Sequence, residues 1–81
     1  MNSLELLEVA QIEFREAIRW YRVQSPEVAR RFALEVKSAV SAIRVHPTRF
    51  QRWDKRYRFS LVTGFPYYVP YRIEGGTVIV V

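Results

Sequence analysis

The first half of the chain repeats its apolar residues with the period of an α-helix. Between Ala10 and Tyr21, apolar residues recur every three or four positions, at 10, 14, 17, 18 and 21. This spacing places them on one side of a helix. We expect the helix to end near Val23, because Ser25-Pro26 is a strong start signal for a second helix. Serine caps a helix N-terminus well, and proline suits the first helical position.

The second predicted helix runs from Pro26 to just before Pro47. Its apolar positions keep helical spacing over four turns; they are Val28, Phe32, Val36, Ala39, Val40 and Ile43. Arg44 and His46 lie near its C-terminal end, where positive charge complements the helix dipole. Two amphipathic helices joined by a two- or three-residue link predict an antiparallel helical hairpin.

Beyond Pro47 the apolar residues alternate, which is typical of half-buried strands. In YRFSLVT, we expect the side facing the helices to carry Tyr57, Phe59, Leu61 and Thr63. In FPYYVPYRI, the corresponding residues are Phe65, Tyr67, Val69, Tyr71 and Ile73. Gly75-Gly76 predicts a two-residue hairpin before a last strand, TVIVV. The pattern therefore predicts an α+β domain, a helical hairpin packed on a small sheet.

Two segments leave alternatives open. Residues 3–7 fit a first helical turn, since Asn2 and Glu5 have capping-box spacing. They fit equally well a short strand before a helix that begins near Glu8. The segment TVIVV ends on four β-branched residues, although chain ends are usually solvated. Either something covers this strand or the natural chain continues.

The length of 81 residues allows a single domain, residues 1–81. Apolar residues make up 49% of the sequence and aromatic residues 15%, which indicates a folded protein. There is no cysteine, and the single histidine, His46, has no cluster of acidic residues near it in the sequence. We therefore expect no metal site and no cofactor. No long apolar run or leader is visible, so we expect a cytoplasmic protein.

Charge is distributed unevenly along the chain. Residues 1–27 carry five Glu against three Arg, a net of −2, and residues 28–81 carry ten basic against three acidic side chains, a net of +7. Eleven of the thirteen cations are arginine, which favours planar, bidentate partners such as carboxylate and phosphate. The balance indicates a polyanion or an acidic protein as partner, and a merely basic surface is the alternative.

Cations are densest between Arg49 and Arg58, where five of them alternate with three aromatic residues. This mixture is typical of surfaces that bind single-stranded nucleic acid. The alternative is a solubilising loop whose aromatic residues fill the core beneath the arginine stems. The candidates for target or nucleic-acid binding are Arg49, Arg52, Trp53, Lys55, Arg56, Arg58 and, on a later strand, Arg72.

No catalytic set stands out by its spacing. We interpret His46 as a cation at a helix end and not as a general base. Asp54 is expected to form an ion pair with a neighbouring arginine. Cations and a tyrosine could still promote phosphoryl transfer. Trp20, beside the buried side of the first helix, fits an anchor for a partner protein.

Three blocks, taken in order, resemble the RelE/ParE superfamily of toxins. AQIEFREAIRWY, residues 10–21, resembles the first helix of that family, which an alanine opens and a Trp-Tyr or Tyr-Tyr pair closes. The second predicted helix and its His46-Pro47 exit resemble the family's second helix. FPYYVPYRI, residues 65–73, resembles its third strand. The resemblance covers nearly the whole chain and is closest to ParE-like members.

This resemblance implies a β-α-α-β-β-β fold with a mainly antiparallel sheet, in which residues 4–7 form the first strand. It implies the toxin of a type II toxin–antitoxin (plasmid stabilisation) module, which an acidic antitoxin binds and neutralises. ParE-like members inhibit DNA gyrase without chemistry of their own, and this is the function we expect. The candidates for antitoxin contact are Trp20, Val78 and Val80.

The alternative within the superfamily is a RelE-like mRNA interferase that acts on the ribosome. Its candidate catalytic residues here are Arg52, Lys55, Arg58, Tyr68 and Arg72. The sequence departs from that pattern, because Tyr68 stands where ribonuclease members carry an arginine and the second strand has no lysine pair. The family usually continues past the last strand into a short basic and aromatic tail, whereas this sequence ends at Val81. A third alternative is a truncated member that only binds antitoxin or nucleic acid.

Overall fold

The computed structural model describes residues 2–81 and has two helices packed on a five-stranded sheet. Its elements are β1 (Ser3–Leu6), α1 (Glu8–Gln24), α2 (Pro26–Val45), β2 (Gln51–Arg52), β3 (Arg58–Leu61), β4 (Tyr68–Glu74) and β5 (Thr77–Val80). The predicted α+β class is confirmed, and so is the β-α-α-β-β-β order, to which the two-residue β2 is an addition.

The helical hairpin forms as the sequence predicts, and Ser25 serves both of its helices. The backbone N–H of Ser25 donates to the Tyr21 carbonyl at 2.8 Å, which closes α1. Its hydroxyl accepts from the Val28 N–H at 3.3 Å, which caps α2. Phe32 of α2 is fully buried and packs against the rings of Phe14 and Tyr21. The two helices therefore share one aromatic core.

The sheet has the order β1-β5-β4-β3-β2. β1 runs parallel to β5, and all other neighbours are antiparallel. The first segment is thus a strand and not a helical turn. β5 lies between β1 and β4, and its Val78 and Val80 are 0% and 4% exposed. The apolar segment TVIVV is therefore covered within the chain itself, so it offers no open strand to a partner.

The side of β3 that faces the helices is the opposite of the one that its sequence predicts. Its register pairs Ser60 with Val69 and Arg58 with Tyr71. Val69 and Tyr71 are buried under the helices, and directly opposite residues share a face of the sheet. Phe59 and Leu61 therefore lie on the outer face, where Leu61 is 68% exposed; the prediction for them is wrong. Alternation along a strand cannot say which side is inward, because pairing with β4 decides it.

The prediction for β4 is confirmed at the two residues that fill the core, Val69 and Tyr71, which are 4% and 0% exposed. The predicted hairpin is also present: Glu74 pairs with Thr77 across Gly75-Gly76. Gly75 has a φ of +59°, which glycine adopts without steric cost.

Candidate functional site

Three aromatic rings contact one another on the outer face of the sheet. Trp53 lies 5.7 Å from Phe59 and 5.2 Å from Tyr68 between ring centroids, and Phe59 lies 5.9 Å from Tyr68. All three contacts are edge-to-face, which is the favoured geometry for aromatic pairs. With Gln51 and Arg52, these rings line an open depression of about 360 Å³, here called the aromatic groove.

The rings of the aromatic groove remain accessible. Trp53 is 54% exposed and Tyr68 is 46% exposed. Both helices of the described residues pack on the other side of the sheet, which carries Val69 and Tyr71. The groove therefore presents aromatic faces and edges directly to a partner.

A second depression, of about 260 Å³, shares Arg52 with the aromatic groove and is here called the basic cleft. Five of the residues that line it are cations: Arg52, Lys55, Arg56, Arg58 and Arg72. They come from β2, β3, β4 and the loop between β2 and β3. The fold thus gathers charges that are spread over 21 positions of the sequence, 52 to 72, into one concave site.

Asp54 shapes the loop that carries part of the basic cleft. Its carboxylate accepts the backbone N–H groups of Arg56 and Tyr57 at 2.7 and 2.8 Å. The bond from Tyr57, then that from Arg56, together with the positive charge of Arg56, lower the pKa of Asp54 below its usual range. In return the Tyr57 carbonyl accepts from the N–H of Trp53 at 2.8 Å. Asp54 therefore stabilises the loop through hydrogen bonds from the loop's backbone N–H groups. These bonds take the place of the ion pair with an arginine that the sequence predicts.

Arg58 and Tyr71 connect the basic cleft to the segment that follows α2. The guanidinium of Arg58 donates to the Phe50 carbonyl at 2.8 Å. The hydroxyl of Tyr71 donates to the Pro47 carbonyl at 2.5 Å. Burial raises the pKa of Tyr71, although the charge of Arg58 acts in the opposite direction. Tyr71 therefore acts as a protonated anchor at the floor of the cleft.

Arg72 has its charge partly satisfied within its own strand. Its Nε donates to the Glu74 carboxylate, and the two form an ion pair. This contact raises the pKa of Arg72 and lowers that of Glu74. A ligand at the basic cleft must therefore share Arg72 with Glu74.

A comparison with protein-family models identifies the chain. The model described as the ParE toxin of type II toxin-antitoxin system, parDE, matches residues 4–81. The chain belongs to the ParE toxin family. It is the toxin of a type II toxin–antitoxin system, and the family implies an antitoxin as its partner. A search of curated proteins returned no match.

The structure brings most of the predicted site residues of this ParE-family toxin together, in two groups. Arg52, Lys55, Arg56, Arg58 and Arg72 line the basic cleft. Trp53 and Tyr68 lie in the aromatic groove. Arg49 is exposed and lines neither depression. Tyr68, the tyrosine predicted for chemistry in the ribonuclease alternative, is thus outside the basic cleft.

Sequence reasoning missed two residues of this surface. The alternation in sequence predicts that Phe59 faces the core, and only the register with β4 shows that it forms part of the aromatic groove. Tyr57 lines the basic cleft, yet it was expected to face the helices. Their place within the basic and aromatic segment was the one signal that pointed to the surface.

The three predicted antitoxin contacts have different surroundings in the toxin. Trp20 is 60% exposed on α1 and is available to a partner. Val78 and Val80 are buried in β5, with strands on both sides. Neither valine can be reached while the sheet is intact, because the helices cover their side chains.

Within residues 2–81 of the toxin, no three His, Asp or Glu side chains are grouped so that they could hold a metal ion. In the same part of the chain, neither helix combines the length and the hydropathy needed to cross a membrane.

Proposed function

We propose that this ParE-family toxin acts in the cytoplasm by binding an essential target, DNA gyrase, and that an acidic antitoxin neutralises it. The basic cleft and the aromatic groove form the surface that engages the target. The observation that carries the proposal is their proximity: five cations converge on a cleft that shares Arg52 with a groove of exposed rings.

The chemistry of this surface suits binding to a protein. Arginine, tryptophan and tyrosine are the residues most enriched among those that dominate binding energy at interfaces. The aromatic groove offers Trp53 and Tyr68, and Leu61, 68% exposed, lies opposite Tyr68 on the same face. Small monomeric proteins rarely leave such a group of apolar side chains uncovered without a function. A partner with acidic and apolar side chains would fit both depressions together.

Charge supports the acidic antitoxin as the second partner. Residues 28–81, which contain both depressions, carry a net charge of +7. An acidic and partly disordered segment can order itself on such a surface and cover it. Because it binds only the folded toxin, it stabilises that state by mass action, by about 2.7 kcal/mol at a concentration 100 times its dissociation constant. We expect a corresponding rise in the melting temperature.

One observation favours the mRNA interferase as the second candidate function. Four of its five predicted catalytic residues, Arg52, Lys55, Arg58 and Arg72, line the same cleft. Converging cations stabilise the charge that develops on a transferring phosphoryl group. The accessible tyrosine of the cleft would then be Tyr57, since Tyr71 is buried and bonded to Pro47.

The experiment that separates the two is tightly induced expression in a bacterial host, with growth, DNA damage and message integrity followed together. We expect growth arrest with DNA damage and intact messages. Arrest with cut messages would support the interferase, and the absence of arrest would leave only binding. A variant with Arg52→Ala and Trp53→Ala should lose the arrest. The matched control Arg30→Ala, exposed on α2 and outside both depressions, should keep it.

A further inference from the structure

The outward side of α1 carries an apolar row that the rest of residues 2–81 leaves exposed. Val9, Ile12, Trp20 and Val23 are 54%, 43%, 60% and 84% exposed. Their helical spacing places Val9, Ile12 and Val23 opposite the buried side of α1, which Ala10 begins, and Trp20 on the flank between the two sides. We propose that this side of α1 pairs with the same side of α1 in a second copy of the chain, with the two helices antiparallel.

The spacing of this face is that of a two-helix seam. Val9, Ile12, Glu16, Arg19 and Val23 follow one another at intervals of three and four residues. Such alternation gives the 3.5-residue repeat with which two helices pack along their length. The seam is apolar at its two ends and charged in its middle, where Glu16 and Arg19 stand.

The charges in the middle decide the orientation. In a parallel pair, equivalent positions of the two helices meet, so Glu16 would face Glu16 and Arg19 would face Arg19. In an antiparallel pair, a seam position that follows a three-residue step faces one that follows a four-residue step. Glu16 then faces Arg19 of the second copy, and Ile12 faces Val23. Two-fold symmetry repeats each contact, so the interface is complementary to itself.

Both charged residues are available for such contacts. Within residues 2–81, the one ion pair is that of Arg72 with Glu74, so neither Glu16 nor Arg19 has an ion-pair partner among these residues. Trp20 lies beside the seam and adds the area of its exposed ring. The antiparallel arrangement thus pairs two free charges and covers the apolar residues at the same time.

The size of the face sets the strength of the dimer. α1 has 17 residues, which corresponds to a length of about 25 Å. One helix of this length against another buries less than the roughly 1,200 Å² of a stable interface. The net charge of +5 on each copy also opposes association. The dimer is therefore weak and reversible, and it forms as concentration rises. The proposal does not depend on the target or the antitoxin.

Sedimentation equilibrium over a range of concentrations tests it with a charge swap. We expect the natural chain to dimerise, and Glu16→Arg or Arg19→Glu alone to raise the dissociation constant at least about tenfold, because like charges then face each other. The double variant with both changes restores the opposite pairing and should recover the affinity. Circular dichroism checks that each variant is folded. Glu27→Arg, exposed on α2, makes the same charge change away from the seam and should have little effect.

Orientation is tested with introduced cysteines, which are unique because the chain has none. When Ile12→Cys and Val23→Cys variants are mixed and oxidised, the antiparallel pair predicts mainly the mixed disulfide. A preference for disulfides between identical variants would overturn the antiparallel arrangement. The dimer itself is overturned if the natural chain stays monomeric at every concentration. It is also overturned if the double charge variant dimerises as weakly as the single variants. If Glu16→Arg weakens antitoxin binding in a chain that stays monomeric, the face belongs to the antitoxin and the proposal fails.

Discussion

The two faces of the β-sheet both carry large apolar side chains, but only one face is covered. On the inner face, Val69 and Tyr71 are 4% and 0% exposed beneath the helices. On the outer face, Leu61 and Tyr68 are 68% and 46% exposed. Apolar residues on the inner face hold the fold together, whereas those on the outer face are free to meet a partner. Burial, and not residue type, separates the aromatic residues that hold this fold together from those that we propose to bind a partner.

The sharpest test of this difference compares two tyrosines of β4 that point to opposite faces. Tyr71→Ala should lower the free energy of unfolding by about 3–5 kcal/mol, as expected for a large buried aromatic side chain. Tyr68→Ala should lower it by less than about 1 kcal/mol, because the ring is already partly solvated. Urea denaturation of both variants measures the two losses. Equal losses would contradict the assignment of faces.

A smaller change removes a single oxygen atom. Tyr71→Phe deletes the hydroxyl that donates to the Pro47 carbonyl, and we expect a loss of about 1–2 kcal/mol because that carbonyl loses its partner. Tyr68→Phe, on the outer face, is the matched control and should cost less than about 0.5 kcal/mol. The same denaturation measurement applies. If Tyr71→Phe leaves the free energy of unfolding unchanged, the hydrogen bond to Pro47 does not stabilise the fold.

The third test concerns binding and leaves stability nearly unchanged. If the basic cleft contacts phosphates, Arg52→Ala with Arg56→Ala should weaken binding of a single-stranded RNA. The slope of log affinity against log salt should become shallower by about 1.4, at about 0.7 per lost contact. Arg30→Ala with Lys37→Ala removes the same charge from exposed positions of α2. An equal change of slope in this control would show that only net charge matters.

The smallest expected effect is a dependence on pH. Because the pKa of Asp54 is lowered from 3.8 in the folded state, its carboxylate stabilises the fold above the unfolded pKa. This contribution is lost as the pH falls through the lowered value. Asp54→Ala should therefore melt below the natural protein at neutral pH, and the difference in melting temperature should shrink as the pH falls below 3.8. Asp54→Asn keeps the shape of the side chain without its charge. If this variant still differs from the natural protein in melting temperature at acid pH, the charge does not have the role that we assign to it.

Local signals predicted the helical part of the fold well. The end of α1 was expected near Val23 and lies at Gln24, and Ser25-Pro26 begins α2 as predicted. These features depend on caps, proline geometry and a period of 3.6 residues, which act within a few positions of the chain. The cations of the candidate site were also predicted individually, since a dense group of charges is visible without a structure.

The sequence by itself thus determined the helices, the alternation of the strands, the charge and the family. Tertiary structure alone decided that β5 is an inner strand between β1 and β4, that Phe59 faces outward, and that Arg72 joins the cations of the 52–58 segment. The physical reason is that alternation is identical for both faces of a strand. Only pairing with distant strands, fixed by burial against the helices, selects the face and brings separate segments together.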